Sequence, residues 1–201
     1  VNNGRTGYFS PLDKGRDGMT LRTLLTGMTL FVFLSTVAVT AQVATTDTNQ
    51  IGQVHFPTSC SAEAQVPFDR AVSLLHSFWF PEAIKAFHTV LETDSSCAMG
   101  YWGIAVSLLG NSLAGAPTPQ ALQEGASILR EAKPVGVQTE REYDYLSAIA
   151  LFYKDAESTE HRTRALAYEQ AMGRLAARYP DDTEAAIFYA LALLSTAQPT
   201  D

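Results

Sequence analysis

Two cysteines, four histidines and a scatter of carboxylates are the side chains of this 201-residue chain that could do chemistry. Their spacing narrows what that chemistry could be. Cys60 and Cys97 stand 37 residues apart, and neither has a histidine at a position that would serve as the base a thiolate nucleophile needs. Two thiols are also too few for a four-thiolate zinc site. His76 and His88 fall on separate helical stretches, with Glu82 and Glu92 as nearby carboxylates. Two imidazoles without a third spaced ligand are a weak metal signature, so ring packing or a polar core contact is the expected role. The run Gly110, Asn111, Ser112, Leu113, Ala114, Gly115 is one residue too long for a serine nucleophile elbow and follows a helix, not a strand. There is no H-E-x-x-H, no P-loop and no G-x-G-x-x-G. Trp79, Tyr101 and Trp102 could line a ligand site, but repeat packing demands bulk at such positions and core packing is expected. Asp69, Glu82, Glu92, Glu131 and Asp144 are read as solvated faces. No catalytic residue, metal or cofactor is expected.

Composition sets the wider limits. A chain that is 46% hydrophobic and 17% charged has the apolar content to bury a core and is no disordered tail. Fourteen basic residues against twenty-one acidic ones give a net charge of −7, which provides no positive field to gather phosphates. A nucleic-acid partner is therefore not expected.

The N-terminal region reads as a targeting segment. Residues 24–41 carry no charge, whereas Arg5, Lys14, Arg16 and Arg22 precede them, and Val39-Thr40-Ala41 suits cleavage after Ala41. Residues 19–41 are thus expected to be a signal peptide and residues 1–18 an upstream extension. An uncleaved membrane anchor is the alternative, weakened by the threonines, serines and glycine that dilute the run. Export to a periplasmic or secreted location follows, with a mature segment at −9 that has little reason to bind anionic lipid.

Residues 42–58 read as a polar linker and residues 59–201 as an all-α domain of about seven helices. Phe68, Ala71, Val72 and Leu75 recur at helical spacing, and Phe80, Ile84, Phe87 and Leu91 repeat the rule. A third stripe holds Ala98, Trp102, Ala105 and Leu109 before residues 111–118 break the pattern with Gly115 and Pro117. Thr118-Pro119 opens a fourth helix as N-cap and first-turn proline. Thr139 to Glu142 forms a capping box for a fifth, whose inner side is expected to be Leu146, Ile149, Ala150 and Tyr153. Tyr168, Ala171, Met172 and Leu175 mark a sixth helix, ended by Pro180. The seventh, from Thr183, has one stripe at Ile187, Ala190, Leu191 and Leu194 and further apolar residues at Phe188, Tyr189 and Leu193. A helix apolar all round requires cover on both sides, so the chain is read as the N-terminal piece of a longer protein.

An internal repeat links these helices. Phe68 and Trp102, Ala71 and Ala105, and Leu74 and Leu108 are each 34 residues apart. Ala83 and Phe87 match the A-x3-F pattern in which a small residue lets two helices approach and a ring fills the space behind it, and Tyr168 with Ala171 continues it. On these residues, and on the longer runs at 76–108, 139–142 and 177–194, the chain resembles exported bacterial tetratricopeptide-repeat (TPR) proteins from about residue 53 onward. It departs from them in having Ser95 where the first repeat's proline belongs and Pro117 inside the second repeat.

The resemblance implies a TPR-like solenoid of stacked antiparallel helical hairpins, with the first and third helices parallel. Cys60 and Cys97 then lie at neighbouring N-termini, and in an oxidising compartment a disulfide is expected, two free buried thiols being the alternative. Closing that loop would stabilise by about 3 to 4 kcal/mol in the chain-entropy model. It also implies a groove on the inner face of the stack, where this chain places Phe68, Val72, Trp102 and Val106 instead of the lysines, asparagines and arginines of a carboxylate clamp. The function expected is a scaffold that binds a protein or peptide through that apolar groove. The alternative is part of an enzyme or metal-binding protein whose site lies mainly in C-terminal sequence beyond this chain, with His76 contributing from this side.

Overall fold

Seven α-helices carry the fold in a computed structural model that describes residues 51–111 and 114–197. They are α1 (Ala62–His76), α2 (Phe80–Thr93), α3 (Ala98–Ser107), α4 (Pro119–Ala132), α5 (Glu140–Tyr153), α6 (His161–Arg178) and α7 (Thr183–Thr196). No strand occurs among the described residues, and the protein is all-α there. None of these helices is long and apolar enough to cross a membrane. The expected signal peptide and upstream extension, and the linker as far as residue 50, lie outside the described residues.

Local chemistry fixes most of the helix starts. Ser61, Thr118, Thr139 and Asp182 are N-caps whose side-chain oxygens accept from the third residue on, at 3.2–3.3 Å. Pro81 and Pro119 sit in the first turns of α2 and α4, where no amide donor is needed. The capping box at Thr139 closes on one side only. Glu142 does not reach back to Thr139; its carboxylate accepts from the Ser59 amide and hydroxyl at 2.6 and 2.5 Å, 83 residues away. A long-range contact has displaced the local one, and it buries Glu142 to 1% exposure.

Successive helices pack against one another, and α3 also touches α1 and α5. It is buried along its whole length except at Tyr101, rather than on the single stripe expected. Two glycines permit this. A Cβ on Gly103 would lie 2.2 Å from the Phe87 ring, and one on Gly100 would lie 2.6 Å from Leu91, so α2 can rest directly on the α3 backbone.

Part of the expected linker belongs to the core. Phe56 has no exposed surface and packs edge-on against Phe68 and Trp102, with Tyr145 tilted beside it, at centroid distances of 5.2–5.6 Å. Several polar groups of the strap around it are engaged. Asp69 accepts from the Phe56 amide, Gln65 bridges Phe56 and Thr58, and Arg141 donates to the Pro57 carbonyl while its guanidinium lies 4.6 Å over the Phe56 ring. Asp94 accepts from the Ser61 amide, and a disulfide joins Cys60 to Cys97. Backbone groups satisfied one by one hold an irregular segment in place without a sheet or helix.

Two other expected stripes are displaced. In α5 the buried side is Glu142, Tyr145, Ala148, Ile149, Phe152 and Tyr153, so the expected Ile149 and Tyr153 are buried, while Leu146 is only half-buried and Ala150 is exposed. In α7 it is Ala185, Phe188 and Ala192; Ile187 and Leu194 are 36% and 51% exposed. In both cases the large rings decided the rotation, because Tyr145 and Phe188 each bury more area than the aliphatic residues they displaced.

Phe56→Ala removes the ring that joins the strap to three helices, and the variant is expected to lose about 3–5 kcal/mol in urea denaturation. A second expectation concerns acid. Burial raises the Asp182 carboxyl, but the hydrogen bond and charge of Arg141, the Tyr145 hydroxyl and the Ala185 amide outweigh it and hold the carboxyl below its ordinary 3.8. Its contribution is present above that value and is lost as pH falls through the lower folded one. The stability difference between pH 7 and pH 3 therefore shrinks in Asp182→Asn.

Candidate functional site

Three of the four residues expected to line an open groove have no exposed surface: Phe68, Val72 and Trp102. The chain fills that position itself. Phe56 comes from the strap, Tyr145 from α5 and Phe188 from α7, and all three rings meet Trp102 edge to face at 5.0–5.5 Å. The groove expectation is corrected accordingly: these side chains form the core. Val106, 6% exposed, differs from the others because it forms part of the wall of a cavity.

That cavity lies toward the C-terminal ends of α1 and α3 and has a volume of about 290 Å³. Leu75 and His76 of α1, Val106 of α3, Phe152 of α5 and Phe188 and Leu191 of α7 supply much of its wall. Phe80 of α2 and His161 and Tyr168 of α6 complete the sides. Its most exposed wall residues, Phe78 and Gly115, come from the connections after α1 and α3. Phe78 is 53% exposed and holds φ at 60°, a left-handed conformation that a bulky residue adopts only under constraint. The constraint is the turn itself, in which the Phe78 amide bonds to the Leu75 carbonyl and the Trp79 amide to that of Leu74.

The polar groups of the wall are few. His76 Nε2 lies 2.7 Å from Glu184 Oε2, and its ring packs 5.3 Å from Phe188, so the end of α1 is tied to the start of α7. Ser195 returns its hydroxyl to the Ala192 carbonyl at 2.7 Å. His161, first residue of α6, stands edge-on to Phe152, and burial together with the Arg164 charge lowers its pKa, so it is neutral near pH 7. Its Nδ1 is buried without a hydrogen-bond partner. Nothing here pairs a nucleophile with a base.

The remaining residues of interest separate in space. His88 is exposed on α2 while His76 is engaged with Glu184, so the two histidines do not converge. No group of three or more His, Cys, Asp or Glu suited to a metal ion occurs among the described residues. Trp79 is 55% exposed, Tyr101 is half-buried and Trp102 is buried, so they form no common site. Asp69 and Asp144 do more than solvate a face: Asp69 holds the strap, and Asp144 accepts from Arg178 at 2.8 Å. Tyr168 and His161 went unrecognised as wall residues, the first because its helical spacing reads as core.

Comparison with protein-family models, curated proteins and solved structures gave no match.

The His76–Glu184 contact is the polar closure of the cavity's α1–α7 side. His76→Ala leaves the Glu184 carboxylate, 8% exposed, without that partner and is expected to cost about 1–3 kcal/mol. A double-mutant cycle with Glu184→Ala checks this: a coupling energy near zero would mean that the contact carries nothing.

Proposed function

We propose that this chain is a TPR-like module of stacked helical hairpins, working outside the cytoplasm as a scaffold that binds a protein or peptide segment and performs no catalysis. One observation carries the reading: the alternate helices α1, α3, α5 and α7 all reach the cavity and together supply about half of its wall, α7 the largest share. In a stack of hairpins these are the helices that line the inner face, where such repeats take their partners. The pairs 34 residues apart fit the same arrangement, since Phe68 and Trp102, and Ala71 and Ala105, are all fully buried on α1 and α3. The disulfide between Cys60 and Cys97 suits an oxidising compartment.

The size of the cavity selects its occupant. An apolar cavity of ~150 Å³ holds one benzene-sized molecule. About 290 Å³ therefore takes one large apolar side chain with room to spare, and is too small for a helix or strand. The occupant is an apolar anchor residue whose backbone stays outside, near Phe78 and Gly115. An anchor in a preformed apolar pocket is the kind of contact that dominates binding energy at protein interfaces.

A displayed peptide library with one bulky apolar residue per sequence tests this directly. The purified chain is expected to select such peptides, and Leu191→Trp, which places an indole on the wall, should bind them at least tenfold more weakly with its circular dichroism unchanged. Equal binding by that variant, or no selection by the original chain, contradicts the proposal.

A further inference from the structure

Among the described residues three tyrosines are buried: Tyr145, Tyr153 and Tyr168. Two give their hydroxyl protons to the protein, Tyr145 to Asp182 at 2.9 Å and Tyr153 to the Ala105 carbonyl at 2.7 Å. Tyr168 is 4% exposed and its hydroxyl has no partner among the described residues. Burial alone pushes its pKa far above the usual phenol value, so the proton stays on. The oxygen is not among the buried unpartnered atoms, so it keeps accessible surface although the residue around it is buried. This unpaired hydroxyl belongs to a residue of the cavity wall.

The surroundings select what could pair with it. His161, one more wall residue and also with an unpartnered buried nitrogen, flanks the same Phe152 ring, at 5.6 Å against 6.4 Å for Tyr168. Between them on α6 lies Arg164, 4% exposed, which donates to the carbonyls of Thr159 and Phe152 and forms no ion pair among the described residues. A proton donor without an acceptor, beside a buried positive charge, suits an oxygen and rejects a cation. The rest of the wall is rich in rings: Phe78, Phe80, Phe152 and Phe188. Rings pack best edge-to-face against another ring.

Resting on the reading of the cavity as a partner site, we propose that the anchor it receives is a phenol, the side chain of a tyrosine in the partner segment. The ring fills the apolar volume and its oxygen accepts the Tyr168 proton.

Two small probes separate this from a merely apolar site: p-cresol, the tyrosine side chain, and toluene, the phenylalanine side chain. In a cavity without a polar partner toluene wins, because the phenol must shed its water. By titration calorimetry on the intact chain, p-cresol is expected to bind at least fivefold more tightly than toluene. In Tyr168→Phe that preference is expected to vanish or invert. Tyr168→Phe deletes a hydroxyl with no partner, so its Tm should not fall, whereas Tyr153→Phe, which leaves Ala105 unpaired, should melt lower. Library peptides anchored by tyrosine should likewise outbind their phenylalanine counterparts, in a Tyr168-dependent way.

Toluene binding as tightly as p-cresol, or a preference that survives Tyr168→Phe, overturns the tyrosine inference and leaves the apolar anchor site intact. A p-cresol preference with no gain for tyrosine peptides overturns it too, in favour of a free phenolic ligand. Failure of both probes to bind overturns the anchor site along with it.

Discussion

Trp102 is the contact on which the helical assembly depends. Its indole receives the edges or faces of Phe56, Tyr145 and Phe188, which arrive from the strap, α5 and α7 respectively. Residues 46 places before and 86 places after it are thus brought to one ring. Its own Nε1 is buried with no partner, so the ring is held by shape and area alone. The polar clamp lies next to this cluster, where Arg141 binds Asp182 at 2.6 Å and stacks over Phe56 and Tyr145. Glu142 beside it reaches the strap at Ser59. One end of α5 therefore secures both the strap and the start of α7.

The cavity is the complement of that cluster. At the α5–α7 level of Trp102 the interior is filled by rings, and one to two turns further along α1 and α3, at Leu75 and Val106, the filling stops. Both helices end there, at His76 and Ser107, and their following connections stand at the rim. The open volume thus reflects where the strap stops supplying side chains. A further consequence is that the polar features of the wall, His76–Glu184 and Tyr168, sit in apolar surroundings where each hydrogen bond made or missed carries more weight than it would in water.

Much of the helical order was legible from the sequence because it is set locally. The N-caps Thr118 and Thr139, the first-turn proline at 119 and the spacing of Ala83 and Phe87 each act within a turn or two. What escaped was set at long range. Phe56 sits in a polar stretch with no periodicity to mark it, and only the converging rings of Phe68, Trp102 and Tyr145 give it a place. Glu142 reads as half of a capping box until Ser59 is brought within 2.6 Å. The rotation of α7 followed Phe188 toward Trp102, which no stripe of aliphatic residues foretells. Tyr168 reads as an ordinary core position, and only the neighbours its hydroxyl lacks distinguish it.

The interior holds a cavity suited to an apolar guest beside, and not within, the Trp102 cluster. Methyl-selective NMR of the chain titrated with benzene tests it most directly. Saturable shifts are expected to concentrate at Leu75, Val106, Ile187 and Leu191, with Val72 and Val90 almost unmoved. Shifts concentrated instead at the exposed Leu193 and Leu194, or none at all at saturating benzene, would contradict it.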